Sequence, residues 1–144
     1  MKRKIFSLCF LGIILITLFL NFNSFIFGNP KWYNTVASVL YIALWYIFII
    51  LSKGSKPSLN FAVIWAFLTL VCSIIIFIVN LYDGKLIVNF IIPFALIFIT
   101  PMSGIVTFFR YSKFFMASIV YIIVSISWII TSVIYLKKLR SHAK

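Results

Sequence analysis

Residues 86–109, LIVNFIIPFALIFITPMSGIVTFF, form a stretch of 24 residues without a charged side chain. At 1.5 Å per residue, a helix of this length crosses the roughly 30 Å hydrocarbon core of a bilayer. Pro93, Pro101 and Gly104 interrupt the stretch. Proline is common in transmembrane helices, where it produces a kink. We therefore predict a kinked transmembrane helix here.

The polar residues of this stretch, together with its first proline, recur at steps of 4, 7, 3 and 4. On an α-helix this spacing places them on one face. A helix with such a face packs it against protein and turns its other sides to lipid. We call this set the polar stripe; it consists of Asn89, Pro93, Thr100, Ser103 and Thr107.

The composition of the whole chain excludes a soluble protein. Of its 144 residues, 65% are hydrophobic and only 10% are charged. A soluble domain of this size has too much surface to hide so many apolar side chains from water. The chain is therefore expected to be an integral membrane protein.

The apolar runs define an all-α membrane protein with five transmembrane helices joined by short loops. We predict one membrane domain, residues 1–144, because no repeat or linker divides it. Spans of this length exclude β-barrel strands. The predicted helices cover 5–27, 34–51, 61–81, 86–109 and 114–136, with a basic loop at 52–60 and a basic tail at 137–144.

The first segment also has the basic start and apolar core of a signal peptide. A small-x-small cleavage site is missing, since the apolar run continues through Asn21 and Asn23 to Phe27. We therefore expect an uncleaved first transmembrane helix, whose asparagines reach the headgroup region or a neighbouring helix.

The fifth segment carries a heptad pattern with alternating steps of 3 and 4. Serines alternate with aromatic residues, so backbones can approach closely and hydroxyls can bond across helices, at about 0.6–2 kcal/mol each. We expect this seam and the polar stripe to face each other or a common partner. The seam consists of Ser118, Tyr121, Ser125, Trp128, Ser132 and Tyr135.

The chain has thirteen Lys and Arg residues, which flank the apolar runs, and a net charge of +12. Cations at helix ends fit a bilayer with anionic headgroups, and we expect no nucleic-acid partner. Five crossings with a cytoplasmic amino terminus place seven basic residues inside and six outside, and this near-equal division does not determine the topology. If residues 86–109 enter and leave on one side, nine lie inside and four outside. Charge thus favours a re-entrant segment. The unbroken hydrophobicity favours five crossings, which we predict.

The predicted spans lack the side chains that catalysis within a membrane usually requires. Intramembrane enzymes and ion-coupled transporters need ionisable residues within the bilayer, and the predicted spans have none. Asp83, the one acid, falls at a predicted turn, and His142, the one histidine, in the tail. We expect no enzyme activity, no cofactor and no metal site.

Two functional classes remain open. The first is a non-catalytic membrane protein that acts through helix–helix contact as an accessory or immunity-type partner of another membrane protein, or through self-association. The second is a small oligomeric pore or facilitator lined by the polar stripe. The stripe's simplest role is to hold the helices together. The composition, rich in Ile, Phe, Lys and Asn, favours the cell membrane of a bacterium with an AT-rich genome.

Overall fold

The computed structural model describes the backbone of residues 2–27, 29, 31–82, 85–109 and 113–141, and the side chains of 11–27, 29, 31–81, 92–109 and 115–141. Every regular element in this part is helical, which confirms the all-α prediction. The elements are α1 (Lys2–Phe27), α2 (Trp32–Leu51), α3 (Lys56–Tyr82), α4 (Lys85–Phe98), a 3₁₀-helix (Thr100–Phe108) and α5 (Lys113–Ser141).

Three helices are long and apolar enough to cross a membrane, which supports a membrane location. The part of α1 whose side chains are described, Leu11–Phe27, is a shorter apolar helix. Five full spans, as predicted from the sequence, are not confirmed. The three spans are Trp32–Leu51, Lys56–Leu81 and Phe115–Ser141.

The segment that was expected to be the fourth span is broken in the middle. α4 contains Pro93 and ends at Phe98, after 14 residues. Pro101 follows in the first turn of a nine-residue 3₁₀-helix, where its missing N–H and fixed φ are tolerated. The Met102 amide donates to the Ile99 carbonyl at 2.9 Å, which continues the chain in the tighter helix. Residues 86–109 are thus not one kinked α-helix.

The long helices run antiparallel to their neighbours and define two ends of the bundle. Trp65 of α3 donates from its indole nitrogen to the Tyr41 hydroxyl of α2 at 3.2 Å. Further along α2, Trp45 stacks on Phe61, which lies earlier in α3. We call the end where α1 stops and α2 starts the α1–α2 end, and the opposite one the α2–α3 end.

The broken segment enters and leaves at the same end of the bundle. α4 begins at the α1–α2 end, where α3 stops, and its last residue, Phe98, packs 4.8 Å from the Trp65 ring near mid-bundle. The 3₁₀-helix then returns, since the Gly104 carbonyl and the Thr107 hydroxyl both contact Thr35 in the first turn of α2. The chain therefore reverses inside the bundle instead of crossing it.

α5 starts at the same end and runs back along α3. Phe115, near its start, stacks on Phe77, near the end of α3, at 4.9 Å. At the α2–α3 end, Leu136 lies beside Lys56, where α3 begins. The last described residue of α5 and the first of α1 therefore lie at the same end of the bundle.

Outside the broken segment, the start of α3 and the end of α5 differ most from the predicted boundaries. α3 begins at Lys56, so the loop covers 52–55 rather than 52–60. Pro57 falls in its first turn, where an N–H is not needed by the helix. α5 continues to Ser141, so the expected basic tail is helical through that residue.

The interior combines polar, aromatic and aliphatic side chains, whereas large apolar side chains cover the outer surface. Trp45 and Trp128 are fully buried, with ring centroids 5.2 Å apart. Large apolar side chains such as Phe19, Ile64 and Ile123 point outward, with 81%, 61% and 61% of their surface exposed. This distribution suits a lipid environment, which does not penalise apolar surface on the outside of a helix bundle.

Candidate functional site

The 3₁₀-helix brings the last part of the polar stripe into the centre of the bundle. Thr100 and Ser103 are buried, and the Ser103 hydroxyl donates to the Asn21 carbonyl of α1 at 3.4 Å. Thr107 is half-buried and donates to the Gly104 carbonyl at 2.9 Å.

The two remaining members of the stripe do not join this centre within the described structure. Pro93 lies on the exposed side of α4. The side chain of Asn89 lies outside the described residues. The break after Phe98 explains the separation, because residues before and after it belong to different helices.

The 3₁₀ geometry also changes which residues share a face. With three residues per turn, side chains eclipse at i and i+3. Pro101, Gly104 and Thr107 therefore lie on one side, and Thr100 and Ser103 on another. The polar residues that α-helical spacing would place on a single face therefore lie on two adjacent faces, and both faces pack against protein.

A set of hydrogen bonds joins the 3₁₀-helix to α1 and α2, and Asn21 lies at its centre. The Asn21 amide donates to the Pro101 carbonyl at 2.8 Å and to the Ser38 hydroxyl at 3.0 Å. The same hydroxyl accepts the Gly104 backbone N–H at 3.0 Å. We call these hydrogen bonds, together with those of the Thr35 hydroxyl to Gly104 and Thr107, the polar node. Its bonds satisfy backbone groups that an irregular segment leaves free and that lipid cannot satisfy.

A second asparagine fixes the start of α2 against α1. The Asn34 amide donates to the Leu20 carbonyl at 2.7 Å, and its side-chain oxygen accepts the Lys31 backbone N–H at 2.7 Å. One side chain thus ties two helices together and satisfies an amide that precedes the first turn of α2. The position of α2 relative to α1, on which the polar node depends, is fixed here.

Gly104 allows the 3₁₀-helix to touch the α2 backbone directly. A Cβ atom at this position would lie 2.7 Å from the Thr35 nitrogen and closer still to the Asn34 carbonyl. Real Cβ atoms essentially never approach other heavy atoms this closely. Only glycine fits at this crossing, as at other sites where backbones meet in membrane proteins.

The seam on α5 is used differently. The Ser118 hydroxyl donates to the Phe115 carbonyl at 2.6 Å, and Ser125 to Tyr121 at 2.7 Å, so both bond within their own helix. Both serines are buried, and their small size favours close packing of α5 on α3, its most extensive helix contact.

The aromatic half of the seam reaches α2. Trp128 packs against Tyr41, Trp45 and Tyr46, with ring centroids 5.2–6.3 Å apart. Tyr135 is half-buried against the apolar core. The polar groups of Tyr121, Trp128 and Ser132 are buried and make no hydrogen bond with a described residue.

The stripe and the seam therefore share α2 as a neighbour. The stripe's hydrogen bonds reach the first turns of α2 and the end of α1, whereas the seam packs on α3 and on the later turns of α2. A direct bond between the stripe and the seam is not found among the described side chains.

Sequence reasoning missed the partners of the stripe on α1 and α2. Asn21 was expected to reach a neighbouring helix or the headgroups, but its bond to a residue 80 positions away has no local signature. The available signal was a pair of polar residues at helical spacing in an apolar run, Asn34 and Ser38. These two lie on one face and point to the interior.

The polar node contains amides, hydroxyls and backbone groups, and none of these is a general acid, a general base or a metal ligand of the usual kinds. Its arrangement holds the reversed segment in place. Comparison with family models, with curated proteins and with solved structures finds no match to this chain.

Proposed function

We propose that the chain is a non-catalytic multi-pass protein of the bacterial cell membrane that acts through helix–helix contact, as an accessory or immunity-type partner. The observation that carries this proposal is the inward orientation of the part of the polar stripe that lies in the 3₁₀-helix. Thr100 and Ser103 are buried, and the hydrogen bonds of the node lie within the chain. A contact with another membrane protein then uses the apolar outer surface.

The proposed topology has four crossings, α1, α2, α3 and α5, with residues 85–108 re-entrant. In this topology, nine of the thirteen basic residues belong to segments at the α2–α3 end, and four belong to segments at the α1–α2 end. Lys and Arg accumulate in cytoplasmic loops, so we place the α2–α3 end and both chain termini in the cytoplasm. This arrangement satisfies the charge rule that five crossings leave undecided.

The best surface for a partner is the outer face of α1. This helix contacts α2, α4 and the 3₁₀-helix, but makes no appreciable contact with α3 or α5 in the described structure. Leu15, Ile16 and Phe19 are all more than half exposed along that face. An edge helix with such a face can pack against a helix of a second protein without displacing any contact of its own.

Photo-crosslinking in native membranes tests this proposal. A benzophenone side chain at Phe19 is expected to give a discrete protein adduct, either with another membrane protein or with a second copy of the chain. The matched control is the same substitution at Ile64, which is 61% exposed on α3. Adducts with lipid alone from both positions would contradict the proposal.

The alternative, a pore or facilitator lined by the polar stripe, is tested with purified protein in liposomes. If the chain acts as a partner protein, liposomes that contain it should release no more of a small entrapped solute than protein-free liposomes do. Selective release that is lost on substitution of Ser103 would replace the proposal with the pore. The burial of Ser103 in a hydrogen-bonded position does not favour that result.

A further inference from the structure

A cleft at the α2–α3 end lies between the loop after α2 and the last turns of α5. Its volume is about 280 Å³, and its lining is formed by Gly54, Lys56, Leu136, Leu139 and Arg140. Pockets that enclose drug-sized ligands measure about 300–1,000 Å³. The cleft therefore fits a small polar group with a short apolar extension rather than a whole lipid.

The two charged residues of the cleft are both cations. Lys56 begins α3, and Arg140 lies in the last turn of α5. The chain's only acidic side chain, Asp83, follows the other end of α3 in the sequence, beyond a helix of 27 residues, or about 40 Å. Among the described residues, no acidic side chain neutralises the two cations of the cleft.

The apolar side of the cleft is formed by Leu136 and Leu139, both half-buried. A phosphate between the two cations would place its attached glycerol and the start of its acyl chains against these leucines. Long basic side chains at a helix end reach the interface in the same way, with apolar stems in the membrane and charges at headgroup level. Charge and polarity thus match one amphipathic ligand.

We propose that this cleft binds the phosphate of an anionic phospholipid headgroup, with Lys56 and Arg140 as the phosphate contacts. Arginine binds phosphate through a planar fork of N–H donors, and lysine binds it as a point charge. Basic pockets between transmembrane helices at the cytoplasmic side are known to select such lipids. The assignment to the inner leaflet depends on the topology in the proposed function, but not on the partner protein.

Native mass spectrometry of the purified full-length chain in detergent, titrated with short-chain phosphatidylglycerol, tests the site. We expect Lys56→Gln and Arg140→Gln each to weaken binding about fivefold, the usual effect of one basic residue near an anionic surface. Arg140→Lys keeps the charge and is expected to retain most of the binding. Because both residues are exposed, the variants should fold.

Lys138→Gln is the matched control. Lys138 is exposed on the same last turns of α5, but two positions before Arg140 and therefore on the opposite face. Its removal changes the net charge equally and should leave binding unchanged. Equal weakening by all three glutamine variants would replace the cleft with general charge attraction and overturn the site.

Two further arms identify the ligand. Phosphatidylcholine should bind at least about fivefold more weakly, and inorganic phosphate should not displace phosphatidylglycerol at equal concentration. Equal binding of phosphatidylcholine would show an apolar site without charge selection, and displacement by phosphate would show a free-anion site. Either result overturns the proposal. Because a second protein is absent from this assay, its outcome is independent of the crosslinking result for α1.

Discussion

The interface of α1, α2 and the 3₁₀-helix and the interface of α3 and α5 hold helices together in different ways. In the first, side-chain donors cross from one helix to another, as Asn21 does to Pro101 and Ser38. In the second, the Ser125 hydroxyl bonds to its own helix and the residue serves through its small size. Between these two interfaces, the described irregular backbone lies at the first.

This difference follows from the backbone that each interface has to accommodate. A continuous α-helix satisfies its own amides and carbonyls, so α3 and α5 need only close packing. The 3₁₀-helix has a proline in its first turn and lies between two helices, so some of its backbone groups need hydrogen-bond partners from outside. Polar side chains in α1 and α2 supply them. We therefore expect substitutions at the two interfaces to differ in their effects on stability.

The largest effect is expected for Gly104→Ala. The new Cβ meets backbone atoms of α2, which cannot move aside as a flexible side chain would, so the free energy of unfolding should fall by about 3 kcal/mol or more. Denaturation with sodium dodecyl sulfate in mixed micelles measures it. The control is Gly54→Ala, where a Cβ meets nothing within 4 Å. Equal effects of the two changes would contradict the close crossing.

A smaller loss is expected for Asn21→Leu, which keeps the size of the side chain but removes two donated bonds. The Pro101 carbonyl would be left buried without its donor, so the free energy of unfolding should fall by about 2–3 kcal/mol. The same assay on Asn23→Leu, an exposed position two residues later, serves as the control. If both substitutions are neutral, the polar node does not stabilise the bundle.

Tyr46→Phe probes a side-chain hydrogen bond between α2 and α5. The Tyr46 hydroxyl donates to Ser127 at 2.8 Å, and its loss should lower the free energy of unfolding by about 1 kcal/mol. A double-mutant cycle with Ser127→Ala isolates the pair. Additive effects of the two substitutions would show that the bond contributes nothing.

The smallest effect is expected for Ser125→Ala. Its hydroxyl bonds only to its own helix, so the free energy of unfolding should change by less than about 0.5 kcal/mol. Ser125→Leu keeps the helix but overfills the buried contact, and should destabilise by about 1–3 kcal/mol. A loss from the alanine variant as large as that from leucine would mean that the seam works through its hydroxyls.

The sequence predicts the helical class, the membrane location and the buried seam positions, because these follow from hydropathy and periodicity along single helices. It does not predict the break at residue 99. Residues 86–109 are equally hydrophobic whether they cross or reverse, and steps of 3 and 4 fit both helix types loosely. The decisive contact joins Asn21 to Pro101 across 80 residues. The distribution of basic residues alone favoured a re-entrant segment, nine against four.

The central claim is that residues 85–108 enter and leave the membrane on one side, so that both chain termini share a compartment. A compartment-sensitive reporter fused after Lys144 tests it most directly, with the same reporter inserted at Gly54 as the reference for the α2–α3 end. We expect both fusions to report the cytoplasm. A cytoplasmic report from Gly54 with an external report from Lys144 would mean that residues 85–108 span the membrane, and would contradict the re-entrant topology.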